Sequence, residues 1–153
     1  MKKINKKGFT LIELLAVIVV LAVVMLIAVT AVVPMMDRAR KQAFITETIV
    51  LVEGAESYFL YKEMTGTPLA EEECITLDQI IGQYVDEKGK SDYKGTVRRR
   101  KEGTDVIYEI SVSDGKNYYI DGERIEYLQN SDENIVHPIS EAEDLNPDYD
   151  SCD

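Results

Sequence analysis

The sequence is poor in the residues from which metal sites and nucleophilic centres are built. It holds one histidine and two cysteines in 153 residues. Cys74 and Cys152 lie far apart, with no CxxC spacing and no histidine beside them, which argues against a zinc site. No phosphate-cradling glycine loop, metalloprotease motif or paired-carboxylate site is visible, so no catalytic activity and no cofactor are expected. Basic charge is also scarce. Seventeen Lys and Arg face 28 Asp and Glu, a formal net charge of −11. A chain this acidic does not suit sequence-independent binding to nucleic acid, whose phosphates require clustered cations. Beyond Arg124 there are nine acids and no Lys or Arg.

Charge of either sign is missing from residues 14–33, twenty consecutive positions among which only Thr30 is polar. At helical rise they span about 30 Å, the hydrocarbon thickness of a bilayer. The rest of the chain suffices for one small core. Four lysines (Lys2, Lys3, Lys6, Lys7) precede this run and favour a cytoplasmic amino end. Arg38, Arg40 and Lys41 beyond the span oppose that bias, and Asp37 partly offsets them. The apolar run is too long for the ~7–15-residue core of a secretory signal. Glu13 sits just inside its leading edge, where a carboxylate costs about 2.5–3.5 kcal/mol on insertion scales and calls for a function.

The segment Lys6-Lys7-Gly8-Phe9-Thr10-Leu11-Ile12-Glu13-Leu14-Leu15 resembles the prepilin signature of type IV pilins and pseudopilins. The resemblance covers residues 1–40 and implies cleavage between Gly8 and Phe9, with N-methylation of the new terminal Phe9. It further implies that Glu13 pairs with the Phe9 ammonium of a neighbouring copy and sets subunit register. A plain anchor in which Glu13 snorkels to the interface is the competing account. The implied partners are like subunits in a homopolymer, a prepilin peptidase, an assembly ATPase with its platform protein, and the membrane before assembly. The implied location is a single-pass membrane protein with a cytoplasmic amino terminus, followed by an extracellular filament. Two other functions stay open: a pseudopilin of a type II secretion or competence DNA-uptake system, and an anchored binding protein that does not polymerise. A secreted protein cut by ordinary signal peptidase near Ala31 fits less well, because it needs a mature start after the apolar run.

The rest of the chain is read as an α+β head. The helix continues past residue 33 to about residue 63, some 80 Å in all, with a kink or local melting at Pro34. Phe44, Leu51, Ala55 and Tyr58 mark one face of an amphipathic second half, and Thr65-Gly66-Thr67-Pro68 ends it. Thr76 to Gln79 has capping-box spacing and predicts a short helix with Ile80, Ile81, Tyr84 and Val85 as its apolar face. Strands are expected at residues 95–100, 106–113, 117–120 and 124–128, with hairpin turns at Asp114-Gly115 and Asp121-Gly122. The fold expected is a long helix, transmembrane in its first half and amphipathic in its second, packed on a three- or four-stranded antiparallel meander. The expected division is a leader (1–8), a transmembrane or filament-core helix (9–33), its amphipathic continuation (34–64), the head (65–128) and an acidic tail (129–153).

The tail shows no periodicity. Pilin heads often carry a disulfide near the carboxyl terminus, so the resemblance favours a Cys74–Cys152 bridge over two free thiols. Asp144, Asn146, Asp148 and Asp150 copy the first half of a calcium loop incompletely, since Tyr149 stands at the glycine position and no bidentate Glu follows. No metal is assigned there. Arg98 to Lys101 is expected to be a solvated strand end meeting acids of a neighbouring subunit rather than DNA, and His137 a solvated loop residue.

Overall fold

A computed structural model of the chain describes residues 9–90, 92–130, 133–140 and 152. The segment expected as a leader, with Gly8, and the run from Asp144 to Asp150 lie outside the described residues. The chain divides into two compact units, residues 1–39 and 40–153.

The dominant element is α1 (Leu11–Met64), 54 residues long. It runs without a break through Pro34, so the local melting expected there is absent from the described helix. Pro34 removes a single donor, the one that would reach the Thr30 carbonyl. In the first unit every residue from 9 to 39 is exposed, including the whole apolar run. This stretch is long and apolar enough to cross a membrane.

In the second unit, α1 buries one face against a β-sheet. Phe44, Ile45, Leu51, Val52, Ala55 and Phe59 are almost fully buried there, while Tyr58 is half-buried at the edge of the stripe. Burial of each such side chain contributes about 1.5–3 kcal/mol. Thr48 joins the buried face at no polar cost, because its hydroxyl donates to the Phe44 carbonyl at 2.9 Å.

Five antiparallel strands, β1 (Glu72–Thr76), β2 (Lys94–Glu102), β3 (Asp105–Ser113), β4 (Tyr118–Arg124) and β5 (His137–Pro138), lie side by side in sequence order among the described residues. Register places Ile75 beside Val97 and Val97 beside Ile110, an apolar ladder across three strands that faces the helix. The result is a helix on an antiparallel meander, the expected α+β class.

Four local expectations are corrected. The short helix after Thr76 is only a 3₁₀ turn, Leu77–Gln79. Thr76 makes no side-chain cap bond, because it ends β1, and Gly82 at φ +87° turns the chain out of helical geometry. The third expected strand runs on to Arg124 instead of turning at Asp121-Gly122. Gly122, at φ +60°, sits where the β3–β4 register shifts between Ile110 and Val112. The Ser111 hydroxyl spans this bulge, accepting the Gly122 N–H at 2.9 Å and donating to Asp121 Oδ1 at 3.2 Å. The fourth expected strand is instead a helical turn, α2 (Ile125–Gln129), which buries Leu128 completely. The tail, finally, is not featureless: Ile135 and Val136 enter the core, and His137 pairs with Tyr119 across β4 and β5.

Candidate functional site

The amino end of α1 is built by its own first turn. Glu13 Oε2 accepts the Thr10 backbone N–H at 2.9 Å and the Thr10 hydroxyl at 2.8 Å. The Thr10 hydroxyl in return accepts the Glu13 N–H at 3.3 Å. Thr10 precedes Leu11, the first helical residue, so this is a capping box with the acid three residues on. The sequence contained the signal, T-x-x-E immediately before an apolar run. The same acid also reads as a lone charge at membrane depth, which masks the cap. Both Thr10 donors end on the same carboxylate oxygen, which leaves Oε1 outside the box. Phe9 is 86% exposed one residue before the cap. Phe9 and Glu13 are thus brought to one helix end.

The second expected feature, the Cys74 and Cys152 pair, is joined as a disulfide with Cα atoms 5.5 Å apart. It links β1 at one edge of the sheet to the chain beyond β5 at the other.

The basic run from Arg98 to Lys101 behaves differently from expectation. Its partners are acids of the same chain. Arg98 bonds Glu72 at 2.9 Å, and Arg100 lies 3.6 Å from Glu72 and 3.5 Å from Glu109. Arg124 adds contacts to Glu109 at 3.7 Å and Glu102 at 3.9 Å. Strand alternation sends Arg98 and Arg100 to one face, and Arg99 to the other, where only 8% of its side chain is exposed. On the Arg98 face the charges form a lattice of both signs, not a cationic patch. The hydrogen bond from Arg98, foremost, holds the Glu72 carboxyl below its ordinary range.

Beneath the carboxyl end of α1, Lys62 bonds Glu73 at 2.9 Å. Burial raises the Glu73 carboxyl, but bonds from Lys62 and the Ala70 N–H outweigh it, so the group ends below its usual value. Burial first, then the charge of Glu56, pushes the Tyr108 phenol up. At the other end of the core, burial and a hydrogen bond to Glu47 push the Tyr93 phenol far above its ordinary range. His137, expected in solvent, is half-buried with its ring 5.2 Å from that of Tyr119. Among the described residues no group of three or more His, Cys, Asp or Glu is placed to hold a metal ion.

No curated protein and no solved structure matches the chain. A family model does match at the amino end, over residues 3–29, and that stretch includes the Thr10–Glu13 box and the first half of the exposed apolar helix. The chain therefore carries the prokaryotic N-terminal methylation motif, typical of type IV pilin and pseudopilin precursors.

Proposed function

We propose that the protein is a structural subunit of a type IV pilus-like filament, pilus or pseudopilus. A prepilin peptidase cuts it after Gly8 and methylates Phe9, and an assembly platform with its ATPase draws it out of the membrane. The observation that carries this reading is the methylation motif, set on a helix whose apolar residues are all uncovered from Leu11 to Met36. In water that surface is untenable, at about 1.5–3 kcal/mol for each large side chain left wet. A bilayer covers it before assembly and copies of the same helix cover it afterwards. Residues 9–33 form the dry core of the filament, residues 34–64 carry the helix into the head, and residues 65–128 coat the outside.

Glu13 supplies register. Its Oε1 is left to accept the ammonium of Phe9 on the next copy, while Oε2 stays engaged by Thr10. Any other axial offset strands both charges in an apolar core, so the pair selects one stacking. DNA capture is not part of this proposal, because Arg98 and Arg100 are matched by acids of their own chain.

Intact-mass spectrometry of the protein from native membranes and from the sheared surface fraction tests the reading. The expected species begins at Phe9 and carries one added methyl group. In Glu13→Ala the same processed mass should remain in the membrane while the sheared fraction empties. A chain still beginning at Met1 in peptidase-competent cells refutes the processing, and undiminished filaments from Glu13→Ala refute the register role.

A further inference from the structure

Arg98 and Arg99 are neighbours with opposite surroundings. Arg98 is 42% exposed and holds Glu72 at 2.9 Å, whereas the Arg99 side chain is 8% exposed and held loosely. Its Nη1 lies 3.4 Å from the Ala70 carbonyl, and its Nη2 lies 3.5 Å from Glu63 Oε1. The Tyr108 side chain lines the space beside it. A charge-assisted N–H···O bond of full strength spans about 2.7–2.9 Å, and a guanidinium has five donors to satisfy. Desolvation demands the tightest partners for the most buried charge, so the loose contacts stand the wrong way round.

Space adjoins this group on two sides. One cavity, of about 380 Å³, lies under Leu69, Ala70 and Gly103, and a second, of about 280 Å³, lies between Glu56 and Tyr108. Glu63, Arg99 and Lys101 line both. Lys101 follows Arg99 on the same face of β2, and among the described residues its ammonium meets no carboxylate. The Glu63 carboxylate that faces Arg99 is itself 53% exposed, and at 3.5 Å it is weakly held.

We propose that Arg99 and Lys101 form a carboxylate receptor, in which Glu63 is a resident stand-in that an incoming carboxylate displaces into solvent. The guest sits on the Arg99 fork with Lys101 closing over it. An acidic side chain of a second copy of this chain and a free organic acid share that chemistry. The cleft lies wholly within the second unit and does not depend on the filament reading.

Glutarate, titrated into the full chain in nonionic detergent at ionic strength matched with sodium chloride, tests it by calorimetry. Saturable binding is expected. Lys101→Gln, at an exposed position, should weaken it about tenfold, the loss of one charged hydrogen bond. Glu63→Gln should tighten it, because the resident competitor has gone, and a merely structural Glu63 offers no route to such a gain. Absence of saturable binding, or equal affinity in the wild type and both variants, overturns the proposal. Sedimentation of the same samples separates the sources. Dissociation of associated copies by glutarate assigns the guest to a neighbouring copy, and unchanged association alongside glutarate binding assigns it to a free acid.

Discussion

Gly54 is a point of close approach between α1 and Val85, and replacing it with alanine should destabilise the head even though alanine is the better helix former. A Cβ built there falls 2.2 Å from Val85 Cγ2, with the Tyr84 carbonyl and Val85 Cβ next at 3.7 Å. Carbon atoms pack at about 3.5–4.0 Å, so the Val85 methyl must retreat by more than about 1 Å. It has little freedom to do so. Val85 is 5% exposed, its N–H donates to Ile80 at 3.1 Å and its carbonyl accepts from Gly82 at 2.8 Å. Overpacking of this kind costs about 1–3 kcal/mol, against about 1 kcal/mol gained from glycine to alanine inside a helix. Gly54→Ala should therefore lose about 1 kcal/mol net. Val85→Ala alone should lose about 2 kcal/mol as a cavity. The double variant should be more stable than Val85→Ala, because the new methyl fills the vacated space, a coupling of about 2 kcal/mol. Urea unfolding in detergent, followed by the fluorescence of the nine tyrosines in this tryptophan-free chain, measures all three. Additive losses, or a Gly54→Ala variant stabilised by the full helix-propensity gain, would refute the close packing.

Two further perturbations act on the head. Burial raises the Asp114 carboxyl, but backbone N–H bonds from Asn117, Tyr118 and Lys116 outweigh it and leave the group below its ordinary 3.8. A folded value below the unfolded one contributes stability that is complete above about pH 4–5 and is lost as pH falls through the folded value. Urea midpoints between pH 7 and pH 3 should thus fall more steeply for the wild type than for Asp114→Asn; parallel curves would contradict the assignment. Reduction of the Cys74–Cys152 bridge, which closes 78 residues of chain, should cost about 4.5 kcal/mol on the chain-entropy account. Urea midpoints with and without reductant check this, and coincident midpoints would show that the bridge constrains nothing.

What was legible in the sequence was what repeats. The helix with its buried second-half stripe follows from a period of 3.6 sustained over many residues, and the cores of β2 and β3 from runs rich in β-branched and aromatic residues between turn signals. The errors fall where a segment is too short for a period to be resolved. Ile125 and Tyr127 alternate like a strand, but Ile125 and Leu128 also share one helical face, and only the burial of Leu128 decides the matter. β1 opens on Glu72 and Glu73, residue types more common in loops than in strands. They are instead an edge strand whose acids are matched by Arg98 and by Lys62. Asp121-Gly122 is a sound hairpin signal taken alone. The bulge that replaces the turn depends on Ser111, ten residues earlier, which no local reading weighs. Ile135 and Val136 were visible as an apolar pair inside an acidic tail, and composition overruled them.

The same T-x-x-[EQ] spacing occurs at Thr10–Glu13 and at Thr76–Gln79, and only the first closes as a capping box. At Thr76 the preceding residues belong to β1 and pair with β2, so the threonine is committed to the ladder before a helix can begin. At Thr10 only the helix competes for the side chain, and the box closes. Closure there also changes what Glu13 costs. An unaccompanied carboxylate at membrane depth is penalised by about 2.5–3.5 kcal/mol, and two donors from Thr10 offset part of that before any neighbour arrives. The charge is therefore tolerable in a lone membrane-bound copy and still incompletely satisfied. An anchor that had only to stay in the bilayer gains from losing the acid altogether. On the filament reading proposed above, a subunit that waits in the bilayer and then leaves it for one defined neighbour needs the acid half-satisfied, and the two bonds from Thr10 to Glu13 supply that half.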